Sequence, residues 1–333
     1  MSFDAGPLEE LAARTRFSGV VRVDRADGEP YEAAFGEADR RHHVPNTTDT
    51  RFAIASGTKA FTALTVISLI ADGTLEPTTP VRSVLRGDLP LIDEGVTVEH
   101  LLAHRSGIGD YLDESQLGDE NDHVLSLPVH RLASTEAYLD VLDGHPTVFP
   151  PGERFAYNNG GYVVLALIAE RASGVPFADL VRQRVCEPAG MERTAFLRSD
   201  ELPGDVAVGY LHPDGLRTNV LHLPVLGSGD GGIFTTVGDV VALWDAFLDG
   251  RVVAEPEVEE MLRPRSHCVE ESKRYGLGFH LHETRELISL EGSDAGVSFS
   301  STRDPSDGTT ATMIANVSRS WDVAILLDEL LGF

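Results

Sequence analysis

Ser56 and Lys59 lie three residues apart in Phe52-Ala-Ile-Ala-Ser56-Gly-Thr-Lys59-Ala-Phe-Thr-Ala-Leu-Thr-Val. Lys59 is one of only two lysines, with Lys273, in a chain of 27 Lys and Arg residues. The distinction is chemical. Arginine keeps its proton near neutrality, whereas a desolvated lysine can lose it and act as a base. On a helix, residues three apart share a face, so Lys59 can reach the Ser56 hydroxyl. If Ser56 opens that helix, its backbone N–H is a ready oxyanion donor, and the positive helix end disfavours a charged lysine. The pattern is that of a serine nucleophile activated by a lysine base. The plainer alternative is a helix-capping serine beside a surface lysine.

Further along, Pro150-Pro-Gly-Glu-Arg-Phe-Ala-Tyr157-Asn-Asn159-Gly-Gly-Tyr162 places a phenol two residues before an amide, ahead of an apolar helical run. Beside a lysine the Tyr157 phenol can have its pKa lowered and relay protons to a leaving group. Asn159 can hold Lys59 and the acyl group of a substrate through its amide.

These blocks resemble the serine β-lactamase/penicillin-binding-protein superfamily, and within it the class C β-lactamases with their esterase and DD-peptidase relatives. Ser56-x-x-Lys59 is similar to the superfamily's nucleophile motif, and Tyr157-x-Asn159 to its Tyr-x-Asn block. Leu101-Leu-Ala-His-Arg-Ser-Gly-Ile108, Gly229–Asp239 and Tyr275–Phe279 resemble further landmarks in the expected order, so the likeness runs from about residue 17 to 330. It implies an α/β (α+β) fold of β-lactamase/transpeptidase type. An antiparallel sheet would be flanked by helices from both chain ends (1–62 and 220–333). A mainly helical insertion (63–219) would follow the first part, with the active site at the interface.

One element departs from that pattern. Relatives carry Lys or His two residues before a glycine on the strand lining the site. Here Ile288-Ser-Leu290-Glu291-Gly292-Ser293-Asp294-Ala-Gly296 puts Leu290 in the cation's place and keeps Gly292. An offset match puts Glu291 there, with Arg303 and His282 as conceivable substitutes. The backbone N–H of Ser293 can still complete an oxyanion hole, a task that belongs to the main chain. Without the cation, a neutral ester or amide is a better substrate than a carboxylate-bearing penicillin or D-alanyl-D-alanine peptide. The alternatives are β-lactamase or D-alanyl-D-alanine carboxypeptidase activity, or a catalytically silent binding protein on the same fold.

Other constellations carry less. His100 and His104 have a metal-ligand spacing, but no His-Glu-x-x-His order accompanies it, so no metal and no cofactor is expected. No Gly-x-Ser-x-Gly elbow, P-loop or dinucleotide fingerprint is present. His42-His43, His280 and His282 read as ordinary strand or loop residues. Cys186 and Cys268 make no disulfide framework and suggest a reduced setting.

A chain of 333 residues with 42% hydrophobic and 24% charged content suits a globular protein with a sizeable core that can position these groups. The net charge of −26 argues against nucleic acid or an anionic membrane as partner and leaves a small molecule. The start Met1-Ser-Phe-Asp-Ala-Gly-Pro-Leu-Glu-Glu lacks the basic and apolar regions of a signal peptide, so a cytoplasmic setting is expected. Nothing in the sequence sets an oligomeric state. Alternation predicts strands at 17–24 and 31–36, and later at 275–282, 286–290, 296–302 and 309–316. Helical spacing covers 56–71, 100–104, 133–142, 162–172, 237–248 and 321–331. The acidic stretch 110–128 is expected as an exposed loop. It and 205–227 are the loops on which pocket shape should depend.

Overall fold

The computed structural model describes residues 3–26, 28–114, 118–268 and 273–333. Among these, eight strands form one sheet. They are β1 (Gly19–Asp24), β2 (Tyr31–Phe35), β3 (Ser266–Cys268), β4 (Lys273–Tyr275), β5 (His280–His282), β6 (Ile288–Asp294), β7 (Val297–Arg303) and β8 (Thr310–Ala315). Their order is β2-β1-β8-β7-β6-β5-β4-β3, and every pairing is antiparallel. The central position of β8 beside β1 joins the two chain ends in one sheet.

The terminal helices α1 (Gly6–Thr15) and α6 (Trp321–Leu331) cover one sheet face. Leu8, Leu11, Val323 and Leu327 pack there on Val21, Val23 and Met313. The strands alternate, so Val20, Ile314, Phe299 and Leu290 enter the larger core on the other side. At the centre of that core runs α2 (Thr58–Ala71), buried at every position up to Leu69. A helix apolar all round must be enclosed; here α4 (Asn159–Ser173) and the helical residues 177–186 pack against it, and α5 (Val237–Leu248) and the inner sheet face share its core.

Several element boundaries differ from those expected. The strand predicted at 275–282 is two short strands, broken where Gly276 N–H donates to Phe279 O at 3.0 Å. Residues 133–142 begin as a tight 3-10 turn (Thr135–Tyr138) before a single α turn. The helix expected over 100–104 spans Val98–Leu102 as α3, and His104 lies beyond it with φ 52°.

Strand β5 pairs with β6 only at Ile288 and Ser289. Residues Leu290–Asp294 therefore have β7 on one side and an open edge on the other. That edge meets the turn before α2. A Cβ on Gly292 would stand 2.2 Å from Ile54 O and 2.9 Å from Ser56 N, a separation only glycine permits.

Candidate active site

Ser56 sits in a 3-10 turn (Ala55–Gly57) that runs directly into α2. The residue before it, Ala55, has φ 45°, a left-handed conformation that costs a non-glycine residue about 1–2 kcal/mol. Strain of this kind persists only where its surroundings enforce it. Thr58 Oγ donates to Ala55 O at 2.7 Å, and Ile233 N–H donates to Thr58 Oγ at 3.2 Å. The turn is thereby tied to the strand-forming segment Ile233–Thr235.

Lys59 is 2% exposed. Its Nζ contacts Ser56 Oγ at 2.9 Å, Asn159 Oδ1 at 2.7 Å and Asp230 O at 3.0 Å. Thr62 Oγ holds Gly229 O at 2.7 Å, which brings the Asp230 carbonyl within reach. Desolvation lowers the Lys59 pKa, while Asp230, Glu114, Asp294 and Asp110 oppose that shift. A neutral amine has two N–H donors and one lone pair. With Asn159 Oδ1 and Asp230 O accepting its hydrogens, the lone pair is left for the Ser56 hydroxyl.

The Tyr157 ring lies 4.8 Å from Lys59 Nζ. Its phenol differs from the sequence expectation. Burial pushes its pKa well above the ordinary value, Glu114 adds to this, and interaction with the Ser56 hydroxyl opposes it. In the resting site Tyr157 is a protonated phenol, because its burial disfavours the phenolate.

Asn159 opens α4, and Asp110 accepts its N–H and that of Gly160 at 2.6 and 2.8 Å. Burial raises the Asp110 pKa to about 6 despite these hydrogen bonds. The amide nitrogen of Asn159 donates to Leu112 O at 3.0 Å and to Glu114 Oε1 at 2.9 Å. Both donors are thus engaged, so Asn159 orients Lys59 and reaches a substrate only by releasing one of them.

The segment expected to be an exposed loop packs on the site instead. Besides the Asp110 and Glu114 bonds, Tyr111 donates its hydroxyl to Asp230 Oδ2 at 2.5 Å, and Ser293 Oγ donates to Glu120 Oε2 at 2.8 Å. Residues 115–117 of that expectation lie outside the described residues. The carboxylates Asp110, Glu114, Asp230 and Asp294 belong to the same neighbourhood. Sequence reading gave them no role, although the acidic run near 110 and the Ser293-Asp294 pair were visible.

Leu290 is 3% exposed and belongs to the main core. Glu291, one position on, binds Lys273 Nζ with both oxygens at 2.6 Å. Arg303 pairs with Asp245, and His282 Nδ1 accepts from the N–H groups of Thr284 and Arg285. Neither lines the cavity at Ser56, so neither replaces the absent cation. His100 caps α3 with Thr97. His42 lines the cavity, His43 is exposed, and His280 packs edge-on against Tyr275.

Ser56, Asn159, Asp230, Ser293 and Asp294 line one cavity of about 870 Å³, to which residues 205–227 contribute Val206, Asn219 and His222. Its arginines are paired, Arg41 with Asp39 at 2.8 Å and Arg319 with Asp119 at 3.0 Å. Burial raises Asp294 to about 8, with Glu114 and Asp230 adding to the shift. The wall near Ser56 is therefore rich in carboxyl groups.

A cavity with a lysine-linked serine, between an antiparallel sheet and a helical layer, defines a serine hydrolase fold of β-lactamase type. The family described as Beta-lactamase matches residues 8–330, and the chain belongs to that family. It is 32% identical over 273 residues to a D-aminopeptidase of Brucella anthropi, covering 80% of this chain and 49% of that protein. It is 35% identical over 219 residues to esterase EstB of Burkholderia gladioli, covering 61% and 53%. The structure of a penicillin binding protein from Bacillus halodurans superposes with a TM-score of 0.90 at 33% identity, over 97% of this chain and 99% of that one. The chain spans about half to two thirds of the length of the curated relatives it matches.

Proposed function

We infer that the protein hydrolyses small esters or amides without a carboxylate near the scissile bond, through an acyl-enzyme on Ser56. The observation that carries this reading is the Ser56–Lys59–Asn159 chain of contacts opening on a carboxylate-rich cavity. Neutral Lys59 takes the Ser56 proton as Oγ bonds to the substrate carbonyl carbon. The N–H groups of Ser56 and Ser293 receive the oxyanion. Tyr157, held protonated, gives its proton to the departing oxygen or nitrogen as the bond to it breaks, and is resupplied from Lys59. Water then adds to the acyl carbon as its proton passes to Lys59. The bond from that carbon to Ser56 Oγ breaks, Lys59 returns the proton to Oγ, and the acid leaves. Burial disfavours a Tyr157 phenolate, so the amine rather than the phenol is the base for that water.

A wall of carboxyl groups whose neighbouring arginines are already paired offers a substrate carboxylate no cationic partner. Penicillins and D-alanyl-D-alanine peptides both carry one, which ranks β-lactamase and carboxypeptidase activity lower. The same wall favours a second reading within this class, a substrate with a protonated amine near its carbonyl. The D-aminopeptidase relative agrees with it, and the esterase relative with the neutral form. The assembled contacts of Ser56 and Lys59 speak against a silent binding protein.

The test is a panel of chromogenic esters sharing one alcohol, with neutral, amino and carboxylate acyl groups, assayed on wild type and Ser56→Ala. The expected ranking is amino or neutral above carboxylate, with turnover abolished in Ser56→Ala. Preference for the carboxylate member would refute the specificity, and undiminished turnover by Ser56→Ala would refute the mechanism.

A further inference from the structure

His104 is 1% exposed and does not line the cavity, yet it grips Tyr157 from three directions. Its carbonyl accepts the N–H of Ala156 at 2.9 Å. Its Nδ1 accepts the N–H of Asn158 at 3.1 Å. The two bonds fasten the residues immediately before and after Tyr157. Its ring lies 4.4 Å from the Tyr157 ring, centroid to centroid, at 31°. The rings of Tyr162 and Tyr275 stand at 4.8 and 4.9 Å and hold the imidazole in turn. Tyr162 is itself fixed by a hydrogen bond from its hydroxyl to Leu102 O at 2.9 Å.

The backbone conforms to the same purpose. At φ 52°, His104 turns left-handed directly after α3, a region that histidine, asparagine and aspartate enter more readily than most residues. This turn points both the carbonyl and the imidazole at segment 156–158. An Nδ1 that accepts an N–H must carry its own proton on Nε2, so the ring is neutral. Desolvation favours that state. Nε2 has no hydrogen-bond partner among the described residues.

We propose that His104 is a positioning residue for the proton donor: it fixes the Tyr157 phenol at the distance from Ser56 and Lys59 needed to protonate the leaving group. The proposal rests on the role assigned to Tyr157 above. It makes no claim that His104 touches substrate. Its action is to hold the peptide units on both sides of Tyr157 and one face of its ring, so that thermal motion does not carry the phenol out of line.

The experiment uses esters of one neutral acid with leaving groups from p-nitrophenol to ethanol. p-Nitrophenolate departs without a proton, whereas ethoxide requires one. Rates are divided by the concentration of sites titrated with a fluorophosphonate, so that misfolded protein does not enter. In His104→Ala, kcat/KM for the ethyl ester should fall at least about 30-fold more than for the p-nitrophenyl ester, within the range of a lost general acid. Tyr157→Phe should show the same selective loss. His104→Asn keeps a short side chain with an acceptor oxygen and tolerates the left-handed backbone, so it should recover most of the ethyl ester rate.

Three results would overturn the proposal. One is an equal loss across the leaving-group series in His104→Ala or, should that variant not fold, in His104→Gly, which tolerates the left-handed backbone and lacks the ring. Another is selective loss in His104→Asn as deep as in Tyr157→Phe. The third is a Tyr157→Phe enzyme whose loss is independent of the leaving group. Failure of the underlying serine mechanism appears separately, as turnover that survives in Ser56→Ala.

Discussion

An ammonium surrounded by three acceptors is a stable resting group, and a neutral amine in the same place is a base aimed at one hydroxyl. The balance between them decides how Lys59 works. Desolvation lowers its pKa, and among the groups opposing this shift the charge of Asp230 has the greatest effect. Activity should therefore fall as pH drops through the Lys59 pKa, because only the neutral amine accepts the Ser56 proton. Removing a negative neighbour lowers that pKa further and leaves the base neutral to lower pH. In Asp230→Asn the acidic limb of kcat/KM should move to lower pH relative to wild type. A pH profile on one neutral ester checks this, and an unmoved or upward-moved limb would show that Asp230 does not act on Lys59 through charge.

At the level of elements, the site depends on how closely the open edge of β6 approaches the turn before α2. Gly292 makes that approach possible, with a would-be Cβ 2.2 Å from Ile54 O. Gly292→Ala should force the strand away from Ser56 and carry the Ser293 N–H out of position. We expect kcat to fall by about 10²–10³, as for a lost oxyanion donor, and stability to fall by about 1–3 kcal/mol from overpacking. Steady-state kinetics and urea unfolding report the two effects. An unchanged kcat would remove Ser293 from the oxyanion hole. This element also shows how far the sequence could be read. Alternation was enough to assign a strand at 286–290, short of the observed Ile288–Asp294 that carries Gly292 to the turn. Where the missing cation's partners went was not legible, because Leu290 joins the core while Glu291 takes Lys273, both through pairings of distant segments. The acidic loop was misread for a similar reason. A polar run looks solvated until the donors awaiting it, at Asn159, Gly160 and Ser293, are placed opposite.

For the whole molecule, a net charge of −26 and buried carboxyl groups act on stability in one direction. Asp294 is raised to about 8 and Asp110 to about 6 from an ordinary value of 3.8. At these two groups the folded state holds more protons than the unfolded chain between about pH 4 and 8. Their contribution to stability therefore decreases as pH rises through that window, while the buried neutral His104 and His280 act in the opposite sense below about pH 6.5. Self-repulsion of the acidic surface acts in the same sense as the two carboxyl groups and is screened by salt. Tm should fall from about pH 6.5 to pH 8 at low ionic strength, where the buried histidines no longer oppose Asp294, and salt should recover part of the loss. Asp294→Asn should raise Tm at pH 8 and change it little at pH 5. A Tm gain at pH 5 as large as at pH 8 would contradict the placement of an ionisable Asp294 in this wall. All of these effects bear on a chain whose fold, core and cavity converge on one hydroxyl. The most direct test of the central claim is intact-mass spectrometry with peptide mapping after brief exposure to an activated neutral ester. The account predicts a mass gain of one acyl group located on Ser56, absent in Ser56→Ala and much slower to form in Lys59→Arg. Hydrolysis at full rate with acyl on no residue, or with acyl on a residue other than Ser56, would contradict it.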